Sequence, residues 1–202
     1  MVGCQLVLET NTHHDLRLAG PCSIHFLARR CGSSAFHSGV RHTLLGYHIS
    51  FFCEAALRLG LDTRAYALDT WQGNDQAGIY GEEVFDSVTA INQSDYSSFS
   101  TLLREYFDDS LAAIPDGSID LLHIDRRHGF DDVTHDFEAW LPKLSHRDVV
   151  ILHDIVEHQE GFGVWRFWET VKTRYPSFAF EHSHGLGVLG VGPDLPRTMQ
   201  AF

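Results

Sequence analysis

Two short runs in this chain end on carboxylates with imidazoles close by. SIDLLHIDRRHGF, residues 118–130, carries Asp125 between His123 and His128, and DVVILHDI, residues 148–155, carries His153 and Asp154. Such a set can hold a hard divalent cation through oxygen ligands. It can also supply a general base, with a histidine tuned by its neighbouring carboxylate. Its third use is plain capping of turns and helices. Other chemistries lack their residues: there is no H-E-x-x-H or clustered Cys/His spacing for zinc, no P-loop, and no G-x-G-x-x-G that leads from a strand into a helix. A nucleophile elbow of the form G-x-S-x-G is also missing. Cys4, Cys22, Cys31 and Cys53 have no C-x-x-C spacing, which suggests neither a zinc site nor a disulfide framework and makes a reducing, cytoplasmic setting the expectation.

For Asp125 and Asp154 to share a crevice, the two runs must be neighbouring parallel strands, because open α/β sheets bind ligands outside the carboxyl ends of their strands. The sequence between them supports this. Val133, Phe137, Trp140 and Leu141 fall on one helical face, Asp131 and Asp132 suit the positive end of that helix, and Pro142 follows its end. Strand, helix and strand make a right-handed βαβ unit.

Upstream, SFFCEAALRLG reads as a helix with Phe52, Ala55, Ala56 and Leu59 on one side, stopping at Gly60. TRAYALDTW reads as a strand in which Tyr66 and Leu68 lead to Asp69, a position suited to ribose hydroxyls. QGNDQAGIYG reads as a loop, and EEVFDSVTAINQ as a helix with Val84, Phe85, Val88 and Ile91 aligned. FSTLLREYF fits a helix end or a strand leading to Asp108, Asp109 and Ser110; SLAAI is a short helix and PDGS a turn. Downstream, GFGVWRFWETVKTRY reads as a helix with Val164, Trp168, Val171 and Tyr175 on one face, and FAFEH and LGVLGVG form an antiparallel hairpin. The expected fold is α/β: a Rossmann-like, mostly parallel sheet with helices on both faces and a C-terminal antiparallel hairpin. Residues 44–202 make up this one domain. Residues 1–43 are poorly defined, with VGCQLVLE as a short strand and IHFLARR as a helical turn.

A length of 202 residues suffices for one full core, and 44% hydrophobic with 12% aromatic residues argues for a folded chain. Net charge is −12 with no Lys- or Arg-rich run, so no nucleic-acid partner is expected. No apolar run reaches the ~18 residues of a membrane span. No basic region followed by an apolar stretch opens the chain, so neither a membrane nor a signal peptide is expected.

Three blocks resemble class I S-adenosylmethionine-dependent methyltransferases. They are YALDTWQG with AGIYGEEVF, then PDGSIDLLHID through HDFEAWLPKLS to VVILHD, then FGVWRFWE with YPSFAFEHSHGLGVLGVG. They are most similar to the branch of sugar and macrolide-sugar O-methyltransferases and the methyltransferase domains that accompany glycosyltransferases in glycan biosynthesis. The resemblance implies S-adenosyl-L-methionine and Mg2+ as cofactors, a small-molecule or glycan acceptor, and a glycosyltransferase as partner. Asp69 would bind the cofactor ribose, and Asp108 would lie beside the adenine with Phe107 or Ser110 helping. Asp125 would ligate the metal, with His153 and Asp154 completing its shell. His128 and His153 are the catalytic candidates, His128 as base for the acceptor hydroxyl, with the metal lowering the hydroxyl pKa and the site supplying alignment. Gly46 would be the first glycine of the cofactor loop. Two positions depart from the family: Leu44 stands where an acid is usual, with no second glycine after Gly46, and Arg126 replaces the glycine after Asp125. These departures predict weakened cofactor binding, and the alternative expectation is a catalytically impaired methyltransferase-fold module used for binding or assembly.

Overall fold

The computed structural model describes residues 5–10, 47–74 and 78–195. Its main sheet holds β1 (Gln5–Thr10), β2 (Thr63–Asp69), β5 (Ser100–Arg104), β6 (Ile119–Ile124), β7 (Leu144–His153), β8 (Ser177–Phe180) and β9 (Leu186–Gly190). Their spatial order is β5-β2-β1-β6-β7-β9-β8. The short strands β3 (Gly73–Asn74) and β4 (Gly78–Ile79) pair separately, so the stretch read as a loop contains a small hairpin.

The central βαβ unit forms as its spacing predicts. β6 and β7 pair in parallel, with Leu122 opposite Val150 and Ile124 opposite Leu152. Between them runs α3 (Phe130–Trp140), which buries Val133, Phe137 and Trp140. Both faces of these strands are covered, so they read as nearly unbroken apolar runs. Leu122, Ile124, Val150 and Leu152 pack under α3 and α4 (Val164–Val171), whereas Leu121, Val149 and Ile151 face the core shared with α1 (Tyr47–Leu59) and α2 (Glu82–Ile91). The face of α1 that is buried runs through Ile49, Cys53 and Ala56; Leu59, expected on it, lies in the last turn and is exposed. In α4, Phe167 joins the expected Val164, Trp168 and Val171.

β2, β5, β6, β7 and β8 point one way, and β9 runs against both β7 and β8 to close the C-terminal hairpin. β1 fills the slot between β2 and β6 but runs antiparallel to both. Thr10 therefore lies opposite Thr63 at the start of β2, and the chain leaves β1 at the edge opposite Asp69. α1 leads through Gly60 directly into β2, so its first turn lies at the edge where β2 ends. Leu44, Gly46 and the segment IHFLARR lie outside the described residues.

Candidate active site

The ends of β6 and β7 place Asp125 and Asp154 in one buried cluster, as the strand arrangement requires. His128 sits between them. Its Nε2 lies 2.9 Å from Asp154 Oδ2 and 3.6 Å from Asp125 Oδ1. His153 flanks the pair, with Nδ1 2.8 Å from Asp154 Oδ1 and 3.7 Å from Asp125 Oδ1. Asp125, His128 and Asp154 are buried, whereas the His153 side chain keeps 22% of its surface exposed.

Local backbone geometry fixes His128. Its ring stacks on Phe162 at 4.8 Å and 14°, and its carbonyl accepts the Gly163 N–H at 2.5 Å. A Cβ at Gly163 would fall 2.3 Å from the Phe130 nitrogen, so only glycine lets the start of α4 come this close. Asp154 has φ of 62°, in the left-handed region that aspartate enters more readily than most residues. Its N–H donates to the Gly185 carbonyl, which ties the end of β7 to the loop before β9.

The electrostatics follow from burial and pairing. Burial alone would push the His128 imidazole down, but the hydrogen bonds and charges of Asp125 and Asp154 overcome it and raise the pKa to about 9. Burial acts to raise Asp154, and the hydrogen bonds from His128 and His153 prevail, bringing it to about 2. His153 is also raised: burial opposes this, and Asp154 and the charge of Asp125 outweigh burial.

The other expected site residues follow the ends of β2 and β5, strands that point the same way as β6 and β7. Asp69 ends β2, and its Oδ1 accepts the Trp71 N–H at 2.8 Å. Its Oδ2 is buried with no hydrogen-bond partner, and burial raises its pKa despite that N–H and the charge of Arg126. Asp108 is 55% exposed and lies 3.1 Å from His135 Nε2. It borders a hollow of about 290 Å3 shared with Arg126, Arg127, His135 and Asp136. The Arg126 guanidinium extends to buried Asp136 at 3.7 Å, so this replacement for glycine engages α3. Phe107 is in the core, stacked on Trp140 at 4.2 Å, and the buried Ser110 hydroxyl donates to Glu105. His123 faces α1, where its ring meets Phe52.

The donor atoms of Asp125, His128 and Asp154 lie within 4.8 Å of one another, an O, N, O set that fits a divalent cation. This set contains His128, whereas the resemblance implied His153, whose Nδ1 also lies 2.8 Å from Asp154 Oδ1. A signal for it was present: His128 stands three residues beyond Asp125. The unpartnered Asp69 Oδ2 likewise fits a hydroxyl donor such as a cofactor ribose. Sequence reasoning missed Glu157 and His184, which pair at 2.5 Å beside His153 and come from segments 27 residues apart.

Among the described residues no helix is long and apolar enough to cross a membrane. Residues 43–155 match the family described as "Methyltransferase domain". An uncharacterized protein, y4gI, of Sinorhizobium fredii (strain NBRC 101917 / NGR234) is 47% identical over 159 residues, which cover 77% of this chain and 17% of that protein. The chain thus spans about one sixth of that relative's length. A putative caffeoyl-CoA O-methyltransferase from Staphylococcus aureus aligns over 82% of this chain and 90% of its own, with 12% identity and a TM-score of 0.46. The SAH-bound Podospora anserina methyltransferase PaMTH1 aligns over 83% and 85%, with 12% identity and a TM-score of 0.48. With more than half its length inside the family match, the chain belongs to the methyltransferase domain family.

Proposed function

We propose that this domain is an S-adenosylmethionine-dependent O-methyltransferase acting on a sugar or another small hydroxylated acceptor. The observation that carries this reading is the unpartnered Asp69 Oδ2 at the strand edge that also holds the Asp125–His128–Asp154 cluster. A donor-binding carboxylate and a deprotonating centre thus share one edge. When bound, S-adenosylmethionine supplies a methyl group whose bond to sulfur breaks as the bond to the acceptor oxygen forms. Asp125, His128 and Asp154 would hold a divalent cation, which would supply Lewis acidity toward the acceptor hydroxyl.

Asp69 accepts hydrogen bonds from the ribose and fixes the donor's position. His153 is the base: Asp154 holds its Nδ1, and its partial exposure lets the opposite nitrogen receive the hydroxyl proton. Without a cation, His128 remains an imidazolium at neutral pH and offsets one of the two carboxylate charges, so it is a ligand and charge partner more than a base. Asp108 and its hollow are where the adenine would rest, which places Arg126 beside the donor.

The reversed direction of β1 favours a second reading. β1 runs antiparallel to both of its neighbours and so departs from the parallel arrangement of the strands around it, as a module that binds without transfer would allow. In that reading the chain serves beside a glycosyltransferase within a longer protein. A melting experiment separates the two. S-adenosylhomocysteine at 100 times its dissociation constant adds ~2.7 kcal/mol of stability. The enzyme reading predicts a melting shift with this ligand, and a Mg2+ response that Asp125→Asn removes; no shift with the ligand rejects it.

A further inference from the structure

Beside the carboxylate cluster, a cavity of about 210 Å3 opens between the end of β7 and the loop before β9. His153, Phe180, His182, Ser183, His184 and Leu186 line it. At ~30 Å3 per water in the liquid it has room for roughly seven waters, the scale of a small ring. Two of its imidazoles are held in the same way. Asp154 engages His153 through Nδ1 at 2.8 Å, and Glu157 engages His184 through Nδ1 at 2.5 Å. The two rings stand 6.3 Å apart.

The loop carrying His184 is fixed to the catalytic strand. Asp154 N–H donates to the Gly185 carbonyl and Val156 N–H to the His184 carbonyl, so His184 and Asp154 keep their relation. Gly185 has φ of 81°, and a Cβ there would lie 2.8 Å from Ile155, so the turn accepts glycine and little else. With its Nδ1–H donated to Glu157, His184 offers Nε2 as an acceptor, as carboxylate-held imidazoles do. Among the described lining residues there is no Lys or Arg, and two carboxylates, Glu157 and Asp154, stand directly behind the imidazoles. The three carboxylates Asp125, Asp154 and Glu157 outnumber the His128 imidazolium, or a divalent cation in its place, so an anion entering here would meet net negative charge.

We propose that this cavity is the acceptor subsite, that it selects neutral polyhydroxylated rings over anionic ones, and that His184, held by Glu157, is a positioning residue that grips a second hydroxyl beside the one methylated. This rests on the O-methyltransferase reading above. The Phe180 ring supplies an apolar face for the ring carbons.

The test uses the full chain saturated with S-adenosylhomocysteine, with histidine rings isotope-labelled for NMR. It is titrated at millimolar concentration with a panel of neutral methyl hexopyranosides and with glucuronate. The proposal expects the neutral glycosides to move the His184 and His153 ring signals, and glucuronate to bind at least tenfold more weakly. His184→Ala should weaken glycoside binding about tenfold, the loss of one neutral hydrogen bond, and His184→Gln should restore part of it. Glu157→Gln, which keeps the volume and releases the tautomer, should weaken binding with no change in the S-adenosylhomocysteine response. Overturning results are a panel that never moves His184, glucuronate binding as tightly as the glycosides, or His184→Ala binding like the parent. Absence of any S-adenosylhomocysteine response would instead sink the enzyme reading, and the glycoside titration of the unliganded chain would still report on the cavity.

Discussion

Stability should fall as pH rises from neutrality to about 9, because His128 is the positive charge between two buried carboxylates. Its pKa rises from 6.5 to about 9, a roughly 300-fold gain in proton affinity, which at ~1.36 kcal/mol per decade sets a ceiling of about 3 kcal/mol. A histidine raised in the folded state contributes its full stability below the unfolded value, and this is lost as pH rises through the folded value. The loss therefore falls between 6.5 and about 9. Urea unfolding across that window with a chelator present measures it, and His128→Gln serves as the control. The variant should be less stable at neutral pH by up to about 3 kcal/mol, because Asp125 and Asp154 then keep, among the described residues, only His153 as a charge partner. It should also lose most of the alkaline slope. An equal slope in both proteins would refute the assignment. A cation bound through His128 Nε2 must displace this proton, so Mg2+ affinity should climb with pH across the same window and binding should release protons.

Asp148 gives a separate window. Burial, reinforced by the charge of Asp120, raises it from 3.8 to about 7, and both its carboxylate oxygens are buried without hydrogen-bond partners. The folded state holds that proton more tightly, so stability falls between 3.8 and about 7, by at most about 4 kcal/mol. Asp148→Asn should be more stable than the parent above neutral pH in chemical denaturation; equal midpoints at pH 8 would contradict this. Trp140, fully buried and stacked on Phe107, should cost ~3–5 kcal/mol when replaced by Ala, read as a lowered urea midpoint; a loss within experimental error would contradict its place in the core.

The βαβ unit was legible because every signal in it agreed. Apolar runs of strand length flank a helix whose stripe from Val133 to Trp140 matches its buried face, and Pro142 follows its end. The convergence of Asp125 and Asp154 followed from that parallel pairing alone. The direction of β1 was not legible, since a six-residue strand such as QLVLET carries no mark of polarity and its neighbours decide which way it pairs. His123 and His128 looked equivalent in the sequence. Side-chain alternation sends His123 to Phe52 on the α1 face, while the turn after β6 brings His128 to Asp154, 26 residues away. The Glu157–His184 pair was invisible for a similar reason, because it exists only where β9 lies against β7.

In the proposed function Asp69 holds a methyl donor beside the carboxylate–histidine cluster. Calorimetric titration of S-adenosylhomocysteine into the full chain and into Asp69→Asn tests it most directly. The Asn side chain keeps an oxygen for the Trp71 N–H, so the turn survives while the charged acceptor is removed. Hydrogen bonds to a charged group are worth ~1.5–3 kcal/mol, so the account predicts measurable binding by the parent chain and affinity lower by about 10- to 150-fold in the variant. No heat from the parent, or equal affinity in the two proteins, would contradict it.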